Sequence, residues 1–136
     1  MVFRSSDWKN MQAIIMAKIE CFEELQSWQK ARQLTNLIYD LTEHTKFSRD
    51  FRLSGQIQDA FGSVMHNIAE GFDAGTNPEL VRFFKIARRS AGEVQSELYL
   101  ALDRNYINQE ELTEAYNLAT ETKRLINGMI GYLHKS

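Results

Sequence analysis

LSGQIQDAFGSVMHNIAEGF, residues 53–72, followed by NPELVRFFKIARRSAGEVQSELYLAL, residues 77–102, decides the fold. At about 100° per residue, Leu53, Ile57, Phe61, Val64 and Ile68 form one apolar stripe in the first stretch. Gln56, Asp59, Ser63, Asn67 and Glu70 run as a polar strip along its flank. In the second stretch Leu80, Phe84, Ala87, Ala91, Val94, Leu98 and Ala101 alternate four and three apart, the heptad seam of a helix that packs on other helices. Polar groups at a core boundary need partners. Ser90, Glu93 and Glu97 supply them if the second helix folds back on the first, so the two stretches read as an antiparallel pair.

The same spacing continues outward. Leu25, Trp28, Ala31, Leu34, Ile38 and Leu41 make one helix face before the pair, and Leu112, Ala115, Ala119, Thr122, Ile126, Met129 and Leu133 make another after it. The spacing predicts helices over 23–43, 53–71, 77–105 and 108–134. Ser54 is the expected cap of the second helix and Gly71 its left-handed end. Asn77, Pro78 and Glu79 are the expected start of the third, and Asn108 with Glu111 forms a capping box for the fourth. Phe47 and Phe51 are the expected anchors of the connection over 44–52. Short connections make the fold class all-α, an up-down-up-down antiparallel four-helix bundle, with Trp28, Leu34, Ile57, Val64, Phe84, Val94, Leu98, Ile126 and Met129 inside.

Composition agrees with this reading. The chain has 136 residues, 43% hydrophobic and 25% charged, with one proline and seven glycines, too few turn formers for an all-β design. Residues 1–20 do not share the periodicity and read as an N-terminal extension, the remnant of an over-long start or a tag, ahead of a bundle domain over 21–136. The apolar run within it is too short to span a bilayer, and no membrane association is expected. A single cysteine, Cys21, excludes an internal disulfide and multi-cysteine metal modules. The expected compartment is the cytoplasm. A net charge of −2 provides no global attraction to nucleic acid.

No reaction centre is legible. Glu70, Glu93, Glu97 and His66 suggest an inward-facing di-iron site, but no histidine follows Glu93 or Glu97 three residues on, as such sites require. Cys21 has no histidine nearby in sequence, Ser63 and Ser90 sit among helix-packing residues, and Gly71 and Gly75 lack P-loop spacing. The expectation is therefore no catalytic residue, no metal and no cofactor. Ser63, Asn67, Glu70, Ser90 and Glu93 are expected to form a structural polar cluster. Arg82, Lys85, Arg88 and Arg89, extended by Arg49 and Arg52, are the candidate contacts to RNA or DNA. Leu118, Leu125 and Tyr132, with Phe83 and Ile86, lie off the core seams and are the candidate interface between copies.

Several of these residues also carry a family resemblance. Phe22-Glu-Glu-Leu25 with Trp28-Gln-Lys-Ala31, Leu53 with Gln56, Asn67-Ile-Ala-Glu-Gly71, and Phe83 with Ile86-Ala87, Ser90 and Glu93 resemble the four-helix-bundle proteins encoded in 23S rRNA intervening sequences. The resemblance spans Cys21 to Leu133. It implies a small bacterial antiparallel bundle that assembles into a ring-shaped homopentamer with no established enzymatic activity. That family is in turn similar to the accessory variability protein of diversity-generating retroelements, a basic pentamer that works with nucleic acid and a reverse transcriptase. This chain departs from the pattern twice. Gln58 and Asp59 stand where the family tends to have arginine just before the alanine matching Ala60, and a proline common in the first connection is replaced near Ser48. The first departure weakens the nucleic-acid expectation.

Overall fold

The computed structural model describes residues 18–134; the expectation for the extension falls mostly on residues outside that range. Ile19, which the sequence reading assigns to the extension, packs half-buried against the core.

A 3-10 turn at Phe22–Glu24 leads into α1 (Gln26–Thr42), a short α2 (Thr45–Arg49), α3 (Phe51–Asp73), α4 (Asn77–Asp103) and α5 (Gln109–His134). The four long helices pack as a square in which α1 touches α3 and α5, and α4 touches the same two. The bundle is all-helical, as the periodicity predicts. Every residue of the α4 seam is buried, from Leu80 to Ala101. The core has two storeys. One is built around Leu34, Ile38, Phe47, Ile57, Phe61, Val94 and Leu98, and the other around Ala31, Val64, Ile68, Phe84, Ala87 and Ile126. Of the nine predicted interior residues, Trp28 and Met129 are only half-buried. Ile130 fills the position expected of Met129, one residue further round the helix.

The helix ends correct the sequence reading in several places. Asp50, not Ser54, caps α3, accepting from the Leu53 N–H at 3.0 Å. The Tyr106 hydroxyl donates to its other oxygen at 2.9 Å, and these two hydrogen bonds hold the Asp50 carboxyl below its usual range. Thr76, not Asn77, caps α4, which leaves Pro78 inside the first turn, where its missing N–H costs nothing. Gly71 does not end α3. The helix runs on to Asp73, and Gly75, with φ +87°, takes the left-handed conformation. The connection expected to be irregular contains α2. Phe47 is fully buried there and stacks on Tyr106 at 5.5 Å, whereas Phe51 is 82% exposed and anchors nothing. A cap at Asp50 puts Phe51 in the first turn of α3, pointing away from the stripe that starts at Leu53.

The end of α4 and the start of α5 form as their sequence suggests. Asn105 has φ +60°, and the Tyr106 and Asn105 N–H groups donate back to Ala101 and Leu102, a Schellman closure. Asn108 and Glu111 exchange both bonds of a capping box, at 2.9 and 2.8 Å. His44 Nε2 lies 2.8 Å from Glu111 Oε2, which ties the end of α1 to that cap.

Candidate functional site

The α3–α4 pair makes the most extensive helix contact in the bundle, and Gly71 permits close approach within it. A Cβ on Gly71 would lie 3.0 Å from Phe83 Cβ and 3.1 Å from Phe84 Cδ1. About two turns further along, Ser63 and Ser90 meet across the pair at 2.8 Å between hydroxyl oxygens. Asn67 donates to the Ser63 carbonyl at 2.7 Å and to its hydroxyl at 3.0 Å. This polar junction lies on the flank of the stripe, where the sequence places it, but it is smaller than expected. Glu70 and Glu93 are exposed and stand outside it.

Beyond the serines the pair opens into a groove of about 440 Å³ lined by Gln56, Asp59, Ser63, Ser90, Glu93 and Glu97. Three of these are carboxylates, and among the described residues none has a cation within ion-pairing distance. Glu97 sits deepest, with its Oε2 buried and unpartnered. Partial burial, then repulsion from Glu93 and Asp59, pushes its carboxyl up to about 7. Among the described residues no three histidine, cysteine or acidic side chains gather closely enough to hold a metal ion. The groove is a concentration of negative charge, not a chelating cage.

The opposite flank of α4, facing α5, carries the other sign. Arg88 donates to Asn127 Oδ1 at 2.9 Å and Lys123 donates to Gln95 Oε1 at 3.1 Å, both across the α4–α5 seam. Gln95 is buried and donates in turn to Thr120 Oγ1 and the Tyr116 carbonyl. Two cations are thus braced by neutral amides, which leave their charge uncompensated. Lys85 and Arg89 lie within about 100° of Arg88 around α4, and Arg124 follows Lys123 on α5; these three are exposed. Arg82 is occupied by Glu79 at 3.2 Å and lies over the Phe83 ring. Arg49 and Arg52 do not extend this face. They stand at the end of the bundle where α3 begins, roughly 30 Å along the helices from Arg82.

The structure does not bring the five apolar interface candidates together. Leu118 packs half-buried with Leu37 against the core on the α5 flank that meets α1, the flank from which Glu121 pairs with Lys30. Leu125 and Tyr132 follow it at heptad spacing and are also half-buried. Phe83 and Ile86 lie on the α4 flank toward α3, across the square. The large apolar side chains that stand most exposed are Tyr39, Phe51, Tyr99 and Leu100.

The model of the 23S rRNA-intervening sequence protein family matches residues 23–128, from the 3-10 turn to the last turns of α5. The chain belongs to this family. A solved structure is similar to it in fold: a protein of unknown function from the S23 ribosomal protein family of Bacteroides thetaiotaomicron, with a TM-score of 0.71 and 23% identity. The likeness covers 77% of this chain and 95% of that one. No curated protein matches the chain. The family description names no catalytic activity. Among the described residues of this 23S rRNA-intervening sequence protein, no helix is long and apolar enough to cross a membrane.

Sequence reasoning missed Lys123, Arg124 and Gln95. Their signal is present but distributed: Gln95 follows Val94 of the seam, and the two cations precede Leu125 on a different helix, so only the α4–α5 packing joins them to Arg88.

Proposed function

We propose that this 23S rRNA-intervening sequence protein is a non-enzymatic homo-oligomeric scaffold of the cytoplasm, pentameric by family resemblance. The observation that carries the reading is Phe51, a large apolar side chain 82% exposed, with Leu100 exposed at the same end of the α3–α4 pair. Burying one such side chain contributes roughly 1.5–3 kcal/mol, and repetition of that gain around a closed assembly offsets the cost of association. The half-buried row Leu118, Leu125 and Tyr132 adds apolar surface along α5. Charging that row with Leu125→Glu should shift the population toward smaller species and leave the helical circular dichroism intact. Unchanged mass would remove the row from the interface.

A second reading is favoured by the basic α4–α5 face, which is larger than the α4 row alone: the chain acts as an accessory factor that binds RNA or DNA. It requires binding that weakens steeply with salt and falls further when Lys85, Arg89 and Arg124 are replaced by alanine. Absence of binding to a single-stranded RNA or a duplex DNA at low salt excludes it.

A further inference from the structure

The α4–α5 seam carries more than the cations described above. Arg88 meets Asn127, Gln95 meets Thr120 and Lys123, and Tyr99 meets Tyr116 edge to face with 5.8 Å between ring centroids. In this antiparallel pair the contacts follow one another along a single line, the first and last about 16 Å apart. Lys85 continues the line one turn beyond Arg88, and Arg124 stands beside Lys123. One half of the seam is therefore cationic and the other aromatic. Tyr99 is 49% exposed there, a large ring left facing water.

The acids of the two helices stand off this line. Glu79 is held by Arg82, and Glu93 and Glu97 line the groove on the α3 side of α4. Glu111 is engaged in the capping box, while Glu121, with Glu114 two turns before it, lies toward α1, where Glu121 pairs with Lys30. Asp103 and Glu110 lie past Tyr99, at the helix ends. Arg89, one turn from Glu93, belongs to the outer row of α4 and takes no part in the line. Among the described residues none of Lys85, Arg88, Lys123 and Arg124 forms an ion pair. Buried Gln95 shows how one of them is held: it accepts from the Lys123 ammonium at 3.1 Å and donates to the Tyr116 carbonyl. A neutral amide fixes this cation beside the tyrosine turn without cancelling its charge, as a carboxylate would.

We propose that the α4–α5 seam holds a single-stranded polynucleotide, its phosphates on Lys85, Arg88, Lys123 and Arg124 and a base stacked on Tyr99 against Tyr116. This rests on the nucleic-acid reading above and names the strand form and the residues that select it. Phosphate contacts alone do not choose between a duplex and a single strand. A solvent-facing ring at the end of a cationic row does choose, because only an unpaired base has a face free to stack, and one such contact is worth roughly tenfold in affinity. The shape of the seam agrees. Two helices side by side within a square project no element into the major groove of a duplex, whereas the shallow line between them has room for one strand. An acidic peptide would meet the cations and leave the tyrosine pair unused.

The test uses the full chain and a labelled oligonucleotide of mixed sequence, presented as RNA, as DNA and as the matching duplex. Fluorescence anisotropy reads binding, inorganic polyphosphate serves as competitor, and circular dichroism checks that each variant is folded. A single strand should bind roughly tenfold more tightly than the duplex, and the strand bound more tightly identifies the source as RNA or DNA. Tyr99→Ala should weaken strand binding roughly tenfold with the salt dependence unchanged, and Tyr99→Phe should restore it. Lys85→Ala with Arg124→Ala should instead flatten the slope of log affinity against log salt by roughly 1.4, the share of two phosphate contacts. Three results overturn the inference and leave the nucleic-acid reading standing: a duplex bound as tightly as its strands, polyphosphate that displaces the strand as well per charge as unlabelled strand does, or a folded Tyr99→Ala variant that binds like the wild type. No binding of RNA, DNA or duplex at low salt overturns both.

Discussion

Ser63 on α3 and Ser90 on α4 meet hydroxyl to hydroxyl at 2.8 Å, at the point where the pair opens into a groove. On one side of that junction Gly71 permits close approach, and on the other Asp59, Glu93 and Glu97 line the groove. The bond fixes the register of α3 against α4 and so sets which carboxylates face one another.

Removing one of the two hydroxyls leaves the other without its partner in a partly buried site. Ser63→Ala or Ser90→Ala should each cost roughly 1–2 kcal/mol of unfolding free energy. The double variant should cost less than the sum of the two, with a coupling of roughly 0.5–1 kcal/mol in a double-mutant cycle by urea unfolding. Strict additivity would mean that the pair contributes no specific interaction.

Gly71→Ala should destabilise by roughly 1–3 kcal/mol, because the added methyl meets the Cβ of Phe83, the ring of Phe84 and the Leu80 carbonyl at 3.0–3.3 Å, and the helices must separate to admit it. Gly92→Ala meets nothing within 4 Å and should stabilise α4 by roughly 0.5–1 kcal/mol through helix propensity. Thermal unfolding of the two variants side by side separates close approach from propensity.

Glu97 gives the folded chain a pH dependence with a definite sign. Its folded carboxyl is raised from 4.5 to about 7, so the folded state holds the proton more tightly than the unfolded state. Stability is therefore fully present below pH 4.5 and is lost as pH rises through about 7. The carboxylate is partly open to water, and screening reduces the effect to about 1 kcal/mol. Glu97→Gln should accordingly stabilise the chain at pH 8 and leave it unchanged near pH 4.5. Equal effects at both ends of the range would place Glu97 outside the groove's electrostatics.

Heptad spacing made the four long helices and nearly all of their buried faces readable, because burying an apolar stripe is what holds each helix in place. Trp28 and Met129 escaped the pattern because each sits at the edge of its stripe, where a shift of one residue decides between core and rim. Helix ends were harder to read. At Ser54 and Asn77 a residue of good capping type lies inside the helix, and the geometry gave the role to Asp50 and Thr76 instead. The Asn108–Glu111 box was legible because it requires two residue types at a fixed spacing. Of the candidate site, the strip Ser63–Asn67 was readable from one helix alone. The basic face was not, because Arg88 and Lys123 are 35 positions apart in the chain and become neighbours only through the α4–α5 seam.

Whether the chain works as an assembly of copies of itself is decided by its mass in solution. Light scattering coupled to size exclusion, at low salt and neutral pH, should return a multiple of the 15.8 kDa chain mass, and five times that mass if the family resemblance extends to copy number. A species of 15.8 kDa that persists as the protein is concentrated contradicts the account.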